Sequence, residues 1–346
     1  MNVIPCRSDY IITCDADATQ IATKIELFIW KFGDTEPATP TKVIEKTYYS
    51  PTQYINYYNI SPFVADYLKA FEVNDMAVNV KIVKYYKLVT DWILDETIED
   101  IGVYGVNTQV FSTYTTLYNE PYLNYFLPSD FFSSSYMIPT IDIVFDFDAS
   151  TTLRVIYSST LGTETIDYTG TGLEYLRVPL TIDNAFFIDG NDVQLQYFDG
   201  TDYVPFQIIE GITPICEPKY EPFTIDYINF YGGMSKFTFF KKNTKTWDVK
   251  GNEFQMSNVY PATKTELKVF NKNGRDTIKL NTGWISENYV NNIKELTLSE
   301  DLYLLGSTNG DGGKVKLKTS SFETKTHLNN KMINYEMEFE FVSEII

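Results

Sequence analysis

Asp142, Asp146 and Asp148 are the carboxylates whose spacing most invites chemistry. In the run Ile141-Asp-Ile-Val-Phe-Asp-Phe-Asp148 they share one face of an extended chain, close enough to suggest a hard-cation site. Calcium takes about six to eight oxygen ligands, and no matching loop surrounds these three. Alternation with buried Ile143, Phe145 and Phe147 explains the pattern equally well, so they stand as metal candidates only and no cofactor is expected. His327 is the only histidine, which excludes any mechanism needing two imidazoles, and its polar surroundings read as surface or turn. Gly306-Ser-Thr-Asn-Gly-Asp-Gly-Gly-Lys314 looks like a phosphate-binding loop. Thr308 and Val315, however, replace the first glycine and the Ser/Thr that such a loop requires, and a glycine-rich tip is expected instead. The 46 acidic residues always offer some pair for glycoside hydrolysis, so no pair is informative. No enzyme is expected.

The elements that would carry these groups are strands. Thr23 to Trp30 and Ala77 to Leu88 alternate, and Ser61 with Pro62 opens a short helix through Phe71. Residues 1–90 thus read as an N-terminal β-rich domain. Residues 91–137 lose the regularity and read as an acidic, aromatic excursion or arm. Alternation returns at Ile141 to Asp148, Leu153 to Tyr157, Leu176 to Ile182 and Val193 to Tyr197. Turns are expected at Leu161-Gly162, Asp189-Gly190 and Asp199-Gly200. This spacing predicts a sandwich resembling immunoglobulin or fibronectin modules over 138–215, with a linker at 216–222. Residues 223–346 form a second β-rich domain, with hairpin turns at Gly232-Gly233 and Asn273-Gly274. A helix over 286–296 is capped by Ser286, and a final strand spans Asn334 to Val342 with Glu336, Glu338 and Glu340 facing water. The fold class is mainly β: a multi-domain antiparallel β-sandwich architecture with one or two short helices.

Charge is concentrated in one place. Residues 88–218 hold twenty acidic groups against only Arg154 and Arg177, which equals the net charge of −18 for all 346 residues. Such a field repels nucleic-acid backbones and anionic membranes and leaves cations, basic partners or mutual repulsion as explanations. Lys314, Lys316 and Lys318 sit in a nearly neutral segment and read as a solvated strand face rather than a phosphate-binding one. The 27 Tyr and 24 Phe suit pleated, half-buried surfaces and interfaces. Cys6, Cys14 and Cys216 show no metal or disulfide spacing, and neither a signal peptide nor a membrane span is read, so synthesis in a reducing cytoplasm is expected.

Five segments carry a resemblance: Ile25 to Trp30, Asn59 to Leu68, Asp226 to Gly233, Gly283 to Val290 and Leu328 to Tyr335. Together they resemble virion proteins of tailed bacteriophages of Bacteroides-like hosts, including crAss-like phages. The resemblance implies a location in the virion and a structural role in a tail or neck ring or hub. It implies copies of the chain in a ring-like homo-oligomer, other tail or neck proteins as partners, no sequence-specific nucleic-acid binding and no membrane insertion. The neutral modules would supply subunit contacts, and the acidic module would face either the DNA path or solvent. The alternative is a tail-tip receptor- or carbohydrate-binding module, with Tyr104, Tyr114, Tyr118, Tyr122 and Tyr125 stacking on sugars.

Overall fold

The computed structural model describes residues 1–15, 19–48, 55–69, 75–106, 109–110, 114–116, 140–147, 151–182, 191–212, 220, 222–255, 267–286, 289–305, 312–319 and 332–342. The chain is mainly β, built from antiparallel sheets with two short helices among the described residues. None of those helices is long and apolar enough to cross a membrane. Two compact units divide it. The first comprises Met1–Asn124, Ile138–Thr213 and Ile228–Ser235, and the second Tyr125–Met137, Pro214–Tyr227 and Lys236–Ile346.

In chain order the first elements are β1 (Asn2–Pro5), β2 (Ile11–Asp15), β3 (Ala22–Lys31), β4 (Lys42–Thr47), β5 (Ile55–Asn59), α1 (Ser61–Ala65), β6 (Ala77–Lys87) and β7 (Trp92–Val103). There follow β8 (Gln109–Val110), β9 (Tyr114–Thr116), β10 (Thr140–Phe147), β11 (Leu153–Ser159), β12 (Gly162–Tyr168), β13 (Gly172–Pro179), β14 (Asn191–Phe198) and β15 (Tyr203–Ile212). The last third adds β16 (Phe223–Ile228), β17 (Met234–Phe239), β18 (Thr244–Gln255), β19 (Leu267–Asn281), β20 (Ile285–Ser286), α2 (Val290–Leu298), β21 (Leu302–Leu305), β22 (Gly313–Leu317), β23 (Met332–Ile333) and β24 (Glu336–Phe341).

A six-stranded sheet, ordered β4-β3-β6-β7-β1-β8, organises the first unit. On one face Ile25, Leu27, Ile29, Val80 and Ile82 pack with Tyr58 of the β2–β5 ribbon and with Val64 of α1. Burying each such aliphatic side chain stabilises the fold by about 1.5–3 kcal/mol. A second cluster joins Val3, Ala77, Ile101 and Val103 to Val144 of β10, with Leu173 and Tyr175 of β13 against it. That cluster draws strands from 1–90 and from 138–215 together within the first unit. The sheets β13-β10-β9 and β12-β11-β14-β15 hold the acidic strands, and the Tyr157 hydroxyl of β11 donates to the Pro179 carbonyl of β13 at 2.7 Å.

The excursion expected over 91–137 begins instead as β7, paired with β6 on one side and with β1 on the other. Its acidic run is matched by lysines in register, Glu96 opposite Lys84 and Glu99 opposite Lys81, which offsets the weak strand preference of those carboxylates. The helix expected through Phe71 stops at Ala65. Ser61 makes no side-chain cap there, because its Oγ accepts the Tyr10 N–H at 2.9 Å.

In the second unit a seven-stranded sheet, ordered β17-β16-β21-β22-β24-β19-β18, buries Phe223, Ile225, Ile278, Leu280, Met337 and Phe339 against Ile293 and Leu296 of α2 and Tyr289 just before it. That helix spans Val290–Leu298, not 286–296, and Ser286 belongs to β20 rather than capping it. Gly232-Gly233 lies in the turn between β16 and β17 as expected, Gly232 with φ +90. Asn273-Gly274 makes no turn: both residues lie inside β19, paired with Lys250 and Val249 of β18. The irregularity falls instead at a bulge between the Lys250 and Asn252 pairs, where Asn271 takes φ +52, a conformation that asparagine tolerates. The Asp189-Gly190 turn and the linker 216–219 lie outside the described residues.

Candidate functional site

Asp142 sits in the middle of β10, opposite Arg177 of β13, and its residue is 1% exposed. Its Oδ1 accepts Arg177 Nε at 2.9 Å. Its Oδ2 accepts Arg177 Nη2 at 3.2 Å, the Tyr175 hydroxyl at 2.5 Å and the Met234 backbone N–H at 2.6 Å. A buried carboxylate so surrounded is neutralised and hydrogen-bonded, as burial of charge demands. Burial, and next the Asp142 charge, raise the Tyr175 phenol well above its ordinary pKa. Burial alone would lower the pKa of Arg177; the bond to Asp142 overrides it and raises it.

This cluster is a clamp rather than a metal centre. The four donors occupy the oxygens that a cation would need, and no group of three or more His, Cys, Asp or Glu with metal-binding geometry occurs among the described residues. Asp146 lies on the same face two strand repeats away, opposite Leu173, and Asp148 lies outside the described residues. The structure therefore does not bring the three candidates into one described site. Both faces of β10 are buried around Asp142, Val144 on one side and Ile143 and Phe145 on the other. Alternation predicted only the second.

What the clamp holds is the turn 228–235. Asn229 Oδ1 accepts the N–H groups of Tyr231 and Gly233, and Phe230 O accepts Val106 N–H at 2.7 Å. Gly105 and Gly232 meet face to face. A Cβ on Gly232 would lie 2.9 Å from Gly105 N, and one on Gly105 2.8 Å from the Tyr231 carbonyl carbon. Met76, Ile228 and Met234 close an apolar cluster beside it.

The other residues singled out in the sequence have ordinary settings. Lys314, Lys316 and Lys318 pair with Asp301, Glu340 and Glu338 along a solvated strand face. Glu336 is exposed and pairs with Lys279. Cys14 is buried and its thiol is pushed up to about 11, chiefly by burial, so it is a poor nucleophile at neutral pH. His327, Cys216 and 306–311 lie outside the described residues. Glu164, Asp192, Asp199 and Asp202 are exposed, Asp167 is held by Arg154 through two bonds of 2.7 and 2.8 Å, and Asp100 is buried and accepts the Asn2 N–H at 2.7 Å.

The surface that remains unexplained by packing is the β18–β19 ribbon. β24 pairs with β19 only over Thr277–Asn281; from Asp276 back to Leu267 the described partner of β19 is β18 alone. β18 ends the sheet, and its side chains from Thr244 to Phe254 are exposed. Trp247 is 71% and Val249 61% exposed, and Phe254, Val269 and Phe270 are also exposed, the two phenylalanines meeting edge to face at 5.5 Å. Two-stranded ribbons are marginal in water, and long apolar edges pair with other chains. At the base of the ribbon Asp248, Lys250, Asn273, Gly274, Arg275 and Glu340 line an open polar depression of about 280 Å³. There Arg275 holds the Glu340 carboxyl below its ordinary range, which suits an ion pair and not a proton donor. Sequence reasoning missed this edge because a turn was read at Asn273-Gly274, which hid β18. The alternation of Trp247 and Val249 was the available signal.

No protein-family model matches the chain, and no curated protein matches it significantly.

Proposed function

We propose that this chain is a structural subunit of a phage virion, forming part of a tail or neck ring or hub through contacts with its own copies and with neighbouring tail or neck proteins. The observation that carries the reading is the β18–β19 ribbon at the end of a sheet, which exposes Trp247, Val249 and Phe254 on β18 and Val269 and Phe270 on β19. An exposed apolar edge of that length marks an assembly contact. The phage resemblance supports the setting. The solvent-facing carboxylates of β12 and β14 support a surface that repels DNA and its own neighbours.

The test is the mass of the purified chain in solution, followed by its location in particles by electron microscopy with a labelled copy. A concentration-dependent oligomer and label at the tail or neck are expected. A monomer at every concentration, or label absent from particles, overturns the proposal.

Recognition of carbohydrate at the tail tip is the second reading, favoured by the exposed rings of Trp247 and Trp284, the latter 66% exposed. The tyrosines first considered for it fare differently. Tyr104 is packed against the Met76 cluster, and the side chains of Tyr114, Tyr118, Tyr122 and Tyr125 lie outside the described residues. Quenching of tryptophan fluorescence by host glycans, with the chain monomeric, would select this reading.

A further inference from the structure

We infer that β18 pairs with β18 of a second copy, antiparallel about a two-fold axis through Val249, joining two seven-stranded sheets into one. The inference deepens the assembly reading, naming the partner and the register. A two-fold perpendicular to a continuous sheet sets residues of equal parity opposite each other, because directly opposed side chains share a face. Few registers are therefore allowed along a strand of this length.

With Val249 opposite Val249 of the second copy, Asp248 faces Lys250 and Lys245 faces Glu253, and by symmetry each pair occurs twice. Every charge on the described strand then meets its opposite. A shift of the axis by one residue in either direction places Asp248 on Asp248 or Lys250 on Lys250, which repels. The same register sets Trp247 opposite Gly251, where the Lys272 and Val269 side chains lie 3.1 and 3.4 Å from the place of a Cβ and offer the indole aliphatic surface. Its diagonal neighbour is Val249 of the other copy. The exposed faces of Trp247 and Val249 thereby gain a cover that the described residues of this chain do not supply. Pairing along β18 also gives each ribbon four strands in place of two, past the three-strand minimum for independent stability. The edge backbone groups of β18 find partners by strand addition.

The test uses the full chain and two single variants, Asp248→Lys and Lys250→Asp, read by sedimentation. The wild type is expected to double its 39.9 kDa mass as concentration rises. Each variant alone places like charges opposite each other twice and is expected to weaken self-association about tenfold or more. An equimolar mixture of the two variants restores opposite charges at both positions and is expected to recover wild-type association. Thermal unfolding of Lys250→Asp, opposite Asn273 on β19, is expected to match the wild type, and Asp248→Lys, opposite Arg275 and beside Lys318, is expected to unfold slightly earlier while staying folded where association is read. Undiminished association of either variant, or a mixture that fails to recover, overturns the pairing. An oligomer that persists in Asp248→Lys overturns the pairing and leaves the assembly reading standing. A wild type monomeric at every concentration overturns both.

Discussion

β10 buries Ile141, Asp142, Ile143, Val144, Phe145 and Phe147, whereas the side chains of β18 from Thr244 to Phe254 are exposed. Both strands alternate, and both carry charge beside aromatic rings. β10 lies between β13 and β9 with packed layers on its two faces; β18 has β19 on one side only. Alternation states which residues share a face, and the neighbours decide whether that face is covered. The same aspartate chemistry thus serves enclosure at 142 and stands exposed at 248, in an open pair with Lys318.

The widest gap between the two regions is expected on removing their aspartates. Asp142→Ala leaves the Arg177 guanidinium and the Met234 N–H without their buried acceptor and should cost about 3–5 kcal/mol in urea unfolding. Asp248→Ala should stay within about 0.5 kcal/mol. Equal losses would erase the distinction. Gly232→Ala comes next: it forces a Cβ onto Gly105 at φ +90 and should cost about 2–3 kcal/mol. Gly33→Ala, with φ +83 but open space around it, should cost about 1 kcal/mol, so the excess measures the close approach.

A further effect belongs to the enclosed region and appears only in alkali. Burial raises Tyr10 and Tyr58 to about 12 from an ordinary 10.0. Between those values the folded chain keeps protons that the unfolded chain has lost, so stability should hold at neutral pH and fall as pH rises from 10 to about 12. Phenolate absorbance rising together with loss of circular dichroism checks this; full titration before unfolding would show those rings to be open. The smallest stability change is expected for Trp247→Ser, within about 0.5 kcal/mol by thermal unfolding, while its self-association weakens.

The strands over Ala22–Lys31, Ala77–Lys87, Leu153–Ser159 and Glu336–Phe341 were legible because one face of each is apolar and the period of two is unbroken. The Gly162 and Gly200 turns were legible for a similar local reason: both take positive φ. β7 was not, since its acidic run gains strand character only from lysines on β6, a pairing no local pattern reveals. Asn273-Gly274 misled because the dipeptide suits a hairpin, and β18 overrode it by pairing straight through. The Asp142 clamp was half legible. Its alternation was visible, but its partners come from β13 and from a backbone N–H 92 residues away.

That separation has a consequence for synthesis. The first unit takes its last segment from Ile228–Ser235, so in a chain emerging from the ribosome Arg177 and Tyr175 are available to Asp142 before the Met234 N–H exists. Closure over so long a stretch is slow, and Met76 and Gly105 wait uncovered meanwhile. Thr244–Gln255 follows only a few residues later. The order of translation thus delays the sticky edge until the segment that completes the first unit has been made.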